Sequence, residues 1–178
     1  MGFLMEVALL DKNTLRIKGK KATLVVDPKS KMAKVEADAI ISLENKDFDA
    51  SRVENYRVVI NEPGEYEVSG VKMTALRDGN VYYGLNVDNT QILLAKTSSL
   101  DKLSQDMNEP QVAVLNADSE LNDSLVAAIE PRVVILYGEH AEAGAKALGS
   151  QNLAPVKKYA ITSDKLPEDQ QQIIVWLT

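Results

Sequence analysis

The stretch PGEYEVSGVKMTAL, Pro63 to Leu76, decides how the rest of the chain reads. Glu65 and Glu67 alternate with Tyr66 and Val68, so this segment presents one carboxylate face and one apolar face. That is the period of a strand half covered by a core. The pair Ser69-Gly70 has the residue types of a tight turn, and VKMTAL then resumes the alternation. The stretch predicts an antiparallel hairpin. Paired carboxylates such as Glu65 and Glu67 can do acid–base work, but a solvated sheet face accounts for them more simply.

Working outward, the first half is a series of short strands. MEVALL (5–10), TLRIK (14–18) and ATLVVD (22–27) are separated by DKN and by KGKK, Lys18 to Lys21, a charged hairpin turn. Pro28 keeps Asp27 from continuing into a helix. A short strand and the buried run ADAII (37–41) follow, then YRVVIN (56–61), the opening hairpin, NVYYGLNVD (80–88) and TQILLAK (90–96).

The second half changes rhythm. SSLDKLSQDM (98–107) has serine at an N-cap position and Leu100 and Leu103 on one helical face. QVAVLNA (111–117) and RVVILYG (132–138) read as buried strands. SELNDSLVAAIE (119–130) and HAEAGAKALG (140–149) read as helices, the latter closed by glycine. KKYAIT and QIIVWLT supply the last strands. No repeat or long linker divides the 178 residues, which predicts one domain of two face-to-face sheets with helices outside.

Composition excludes several chemistries. The absence of cysteine removes disulfides, thiolate nucleophiles and thiolate metal ligands. The one histidine, His140, cannot build a His-rich zinc site, and any Ser/His/Asp triad would depend on it alone. Net charge is −6, and no basic cluster exceeds KGKK, so no nucleic-acid partner is expected. No run approaches the ~18 apolar residues of a membrane span. The segment MGFLMEVALL lacks the basic region and apolar length of a secretory signal, so the expected compartment is the cytoplasm.

The order ATLVVDP (22–28), EADAIIS (36–42), PGEYEVSGVKMTAL, IEPRVVI (129–135) and DKLPE (164–168) resembles the small stand-alone metal-dependent hydrolases of the metallo-β-lactamase fold. PGEYEVSGV is the most specific of these segments, and the likeness runs over nearly the whole chain. It implies a four-layer αβ/βα sandwich with two mostly antiparallel or mixed sheets and outer helices, here trimmed. It also implies a metal site on loops at one edge of the sheets.

Carrying that family's ligands over position by position leaves none of their residue types. Its HxHxDH motif falls on ENKDFD, with Glu44, Lys46, Phe48 and Asp49 at the His, His, Asp and His positions. Leu94 stands for the next histidine, Thr97 for the bridging aspartate and Tyr137–Gly138 for the last histidine. Lys12 stands for a histidine common in the first hairpin. Zinc is therefore expected to be lost, and without it no metal-bound water of lowered pKa is available as nucleophile. Lys46 is expected to replace part of the metal's charge.

The crevice implied by the resemblance would be bordered by Glu44, Asp47, Asp49, Thr97, Tyr137 and His140. Glu44, Asp47 and Asp49 can hold a hard cation such as Mg²⁺, Mn²⁺ or Ca²⁺, or they belong to a solvated loop with Asp49 capping a short helix. His140 is expected to be exposed at a helix start. Tyr82, Tyr83 and Tyr137 can stack on a ligand, Tyr137 being the best placed. Thr97, Ser98 and Ser99 can hold an anion or simply cap a helix. The expected function is a metal-free, catalytically inactive relative of these hydrolases that binds a protein or small ligand, with homodimerisation through edge strands plausible. The alternative is an ester or phosphoester hydrolase with a hard metal on Glu44, Asp47 and Asp49.

Overall fold

A computed structural model of the chain describes residues 4–44, 48–105, 107, 109–168 and 171–178. Three antiparallel strands open it: β1 (Leu4–Asp11), β2 (Thr14–Lys18) and β3 (Thr23–Val26). KGKK forms the turn between β2 and β3, anchored where the Lys20 N–H donates to Asp88 Oδ2 at 2.7 Å. After β4 (Val35–Glu36), β5 (Ala39–Ile41) pairs parallel to β3. After β6 (Val53–Glu54), β7 (Val58–Ile60) pairs parallel to β5.

The opening stretch folds as predicted. β8 (Gly64–Val68) and β9 (Val71–Asp78) pair antiparallel around Ser69 and Gly70, whose φ angles are +48° and +84°. Positive φ at both central positions matches the right-handed twist of the flanking strands, and Gly70 takes this conformation without Cβ strain. β10 (Asn80–Val87) and β11 (Thr90–Lys96) continue the meander, turning at Asp88 and Asn89, also at positive φ.

Beyond β11 the pairing within the seven-stranded sheet is parallel, while β14 (Lys158–Thr162) joins the other sheet antiparallel to β1. β12 (Val112–Asn116), helix α1 (Asp123–Ile129), β13 (Val133–Tyr137), helix α2 (Ala141–Ala147), β14 (Lys158–Thr162) and β15 (Ile173–Trp176) complete the chain. One sheet has six strands in the order β14-β1-β2-β3-β5-β7. The other has seven, β15-β13-β12-β11-β10-β9-β8. Their facing sides close over Leu15, Ile17, Leu24, Ile41, Leu85, Ile92, Leu94, Val114 and Ile135. α1 and α2 cover the outer face of the seven-stranded sheet through Val126, Ala141 and Ala145, with Leu121 of the segment before α1. The outer layer of the six-stranded sheet is reduced to the small β4–β6 ladder and a short 3₁₀ turn, packed on Val25, Met32, Ile40 and Val53.

The expected helix over 98–107 is a 3₁₀ turn, Thr97–Lys102. The Ser104 N–H donates to the Tyr82 hydroxyl at 3.0 Å, which diverts the backbone donor an α-helix would have used internally. The expected helix over 119–130 starts only at Asp123, because Asn122 accepts from the Ser124 N–H and caps it there. Among the described residues, no helix is long and apolar enough to cross a membrane.

Candidate functional site

Five strands end together where the resemblance places a site: β3 at Asp27, β5 at Ser42–Glu44, β11 at Lys96, and β12 and β13 at Asn116 and Tyr137. Residues alternate across each strand, so the parity of β11 decides what reaches this edge. Ile92 and Leu94 face the six-stranded sheet, and Leu93 and Ala95 face the helices. Lys96 continues the inward row at the open end of the strand, and its Nζ lies 2.9 Å from Glu44 Oε1. The Lys96 side chain is only 11 % exposed and that of Glu44 41 %. An ammonium therefore lies across the crevice mouth. Lys46 and Asp47, also expected there, lie outside the described residues.

Beneath this pair sits Asp27, almost wholly buried. Its Oδ1 accepts from the Ser42 hydroxyl and the Leu43 N–H, both at 3.0 Å. Burial pushes its pKa up to about 6; the Ser42 hydroxyl and the Glu44 and Leu43 amides oppose this, while the Glu44 charge adds to it. The Ser42 hydroxyl also lies 2.6 Å from the Glu44 carbonyl, so its single proton serves one acceptor at a time. The Tyr83 hydroxyl lies 2.6 Å from Ser42 O and 3.0 Å from Ile60 O, tying the two sheets together. Burial raises its pKa.

On the other side Asp118 gathers the start of the 3₁₀ turn. It accepts from Thr97 Oγ1 at 3.0 Å, the Ser98 N–H at 3.1 Å and Ser98 Oγ at 2.6 Å. Burial pushes its carboxyl up, but these hydrogen bonds and the charge of Lys96 outweigh it and hold the pKa below the ordinary range. Asn116 Nδ2 points to Asn13 Oδ1 at 3.4 Å, across Gly138. A Cβ on Gly138 would stand 3.1 Å from Asn13 Oδ1 and 3.3 Å from Asn116 Oδ1, at a φ of +97° that side chains rarely adopt. Glycine is required there for both reasons.

Several expected site residues are elsewhere. Leu94 is fully buried in the inter-sheet core, two residues short of the crevice, and the strand end facing it is Lys96. Tyr137 is not a stacking surface: it is fully buried, and its hydroxyl makes no hydrogen bond among the described residues although the Asn116 amide lies beside it. Tyr82 and Tyr83 are buried as well, because both sheet faces at β10 are covered. Phe48 packs on the outer cluster around Val25 and Ile40. Asp49 accepts from the Ser51 N–H at 2.8 Å and caps the 3₁₀ turn Ala50–Arg52, as expected. Lys12 is exposed, and its neighbour Asn13 reaches the site instead. His140 is half-buried at the start of α2, its N–H donating to Ala117 O at 3.0 Å.

These residues do not fit a zinc ion. Of the carboxylates at the crevice, Glu44 is held by Lys96, Asp118 by Ser98 and Thr97, and Asp27 lies beneath backbone donors. Among the described residues no group of three or more His, Asp or Glu side chains can hold a metal. Sequence reasoning missed Asp27, Lys96, Asn116 and Asp118. A charged residue closing an apolar strand, as in LVVD and ILLAK, was the available signal.

A concavity of about 960 Å³ lies away from this crevice, on the outer face of the seven-stranded sheet, between β8–β10 and Leu103, Met107, Glu109 and Pro110.

Neither a family model nor a curated protein matches the sequence. Solved structures do. A metallo-β-lactamase superfamily protein from Thermotoga maritima is similar with a TM-score of 0.72 at 14 % identity, over 98 % of this chain and 100 % of that one. Igni18, a metallo hydrolase from Ignicoccus hospitalis, is similar with a TM-score of 0.59 at 7 % identity, over 89 % and 98 %. The metallo-β-lactamase fold protein YhfI from Bacillus subtilis is similar with a TM-score of 0.58 at 10 % identity, over 90 % and 100 %. With its two facing sheets, outer helices and strand-end crevice, the chain has the metallo-β-lactamase fold.

Proposed function

We propose that this chain is a metal-free member of its fold group without hydrolytic activity, acting as a binding module through its surface. The observation that carries this reading is the Lys96 ammonium paired with Glu44 across the crevice. A cation sited there opposes a second cation nearby and takes up the carboxylate best placed to bind one. Tyr137, Leu94 and the Asn13–Asn116 pair fill the volume behind it, which speaks for surface contacts rather than a small ligand in the crevice. Cytoplasmic residence and the absence of a nucleic-acid partner belong to the same reading, supported by the lack of cysteine and the net charge of −6. Homodimerisation is a further part of it, since β7, β8 and β14 are sheet edges.

Metal analysis of protein purified without chelator tests the proposal. Less than ~0.1 equivalent of zinc, manganese or magnesium is expected, with no ester or phosphoester turnover above buffer. A stoichiometric metal that disappears in the Glu44→Ala/Asp49→Ala variant would overturn it in favour of a hard-metal hydrolase.

A further inference from the structure

The register of β8 to β11 builds two rows across the outer face of the seven-stranded sheet. Glu67, Lys72, Asn86 and Gln91 stand opposite one another in one row, and Glu65, Thr74, Gly84 and Leu93 in the next. The first row is wholly polar. The second descends from a carboxylate to a bare glycine and then to a buried leucine. Facing these rows across the groove are Leu103, Met107, Leu125 and Ile129, all half-buried and packed on the outer core. One wall is thus acidic and the other apolar.

The charges around the groove are unbalanced. Several carboxylates outside the groove stand in ion pairs, among them Glu6 with Arg16 and Lys158, Glu54 with Lys34, Glu62 with Arg77 and Glu44 with Lys96. Glu65, Glu67 and Glu109 line the groove and form no ion pair among the described residues, although Lys72 stands directly opposite Glu67. Among the described residues, three carboxylates against one ammonium leave two negative charges over a concavity of about 960 Å³. A purely apolar partner would strand those charges, and a purely cationic one would leave the apolar wall wet.

We propose that this groove docks a polypeptide segment carrying lysine or arginine beside apolar side chains. The basic groups meet Glu65, Glu67 and Glu109, and the apolar ones cover Leu103, Met107 and Ile129. The proposal rests on the binding-module reading and gives it a surface and a partner chemistry.

A fluorescein-labelled peptide of alternating lysine and leucine, titrated by anisotropy, tests it. Saturable binding of one peptide per chain is expected, weakened at least ~10-fold by Glu65→Lys/Glu67→Lys. A variant of equal net charge outside the groove, Glu120→Lys/Glu139→Lys, should change it by less than ~2-fold. A lysine–serine peptide should bind at least ~10-fold more weakly than the lysine–leucine one. All four glutamates are exposed, so neither variant threatens folding. No saturable binding, equal loss in both variants, or equal binding of both peptides would overturn the proposal. Metal content measured on the same preparation separates the two conclusions: a metal-free protein that ignores the peptide overturns the groove alone, and a stoichiometric metal overturns the binding-module reading.

Discussion

The strand-end crevice and the outer-face groove treat their charged groups in opposite ways. At the crevice every described carboxylate is engaged: Asp27 by Ser42 and Leu43, Glu44 by Lys96, Asp118 by Thr97 and Ser98. At the groove Glu65, Glu67 and Glu109 are exposed and form no ion pair among the described residues. Buried polar groups cost free energy unless they find partners, and the crevice side chains supply partners for one another. The groove needs no such partners, because water serves its carboxylates until something displaces it. The edge of the sheets where the fold suggests chemistry is thus internally satisfied, and the unspent interaction capacity lies on another face.

The comparison can be broken most sharply at Leu94. If the strand end were two residues out of place, Leu94→His would bring an imidazole into the crevice. The burial of Leu94 instead predicts a loss of about 3–4 kcal/mol on urea unfolding, because an unpartnered imidazole replaces a core leucine. A variant as stable as the parent that also binds zinc would refute the placement.

Asp27 comes next. Its pKa is raised in the fold to about 6 from the ordinary aspartate value of 3.8. Its contribution to stability is therefore fully present below pH 3.8 and lost as pH rises through about 6. Relative to Asp27→Asn, the parent should lose on the order of 2–3 kcal/mol between pH 4 and pH 7.5. Parallel denaturation curves of the two proteins across that range measure this, and a constant difference would show that Asp27 is not buried as a carboxyl.

The Lys96–Glu44 pair gives a smaller and asymmetric effect. Glu44→Gln leaves a nearly buried ammonium without its partner and should cost about 2 kcal/mol. Lys96→Met leaves a carboxylate that water can reach and should cost less than ~1 kcal/mol. Equal costs would mean that the ammonium is solvated and the crevice open. Gly138→Ala falls between these two, expected to cost about 1–2 kcal/mol from its positive φ and the crowding of Asn13 and Asn116, read as a lowered Tm.

How legible the site was differs by residue. Asp49 as a cap was legible, because an Asx cap needs only local sequence. The alternation of Glu65 and Glu67 with Tyr66 and Val68 was legible too, since side-chain direction along a strand follows from period two alone. Lys96 was not. Its place depends on the register of β11 against β10 and β12 and on where that strand ends, and one residue of slip exchanges the two faces. Tyr137 was misjudged for a similar reason, since a strand's last residue is exposed or buried according to what the other sheet sets over it.

By itself the sequence determined the strand-rich half, the change to β-α-β order, the tight turn at Ser69-Gly70 and the loss of imidazoles and thiolates. These follow from local conformational preference and from counting donors. Tertiary structure decided that Lys96 closes the crevice, that Asp27 titrates under it, and that the carboxylates of β8 overlook a groove. Each of these joins residues far apart in the chain, and only the packing of the two sheets and their helices sets those distances.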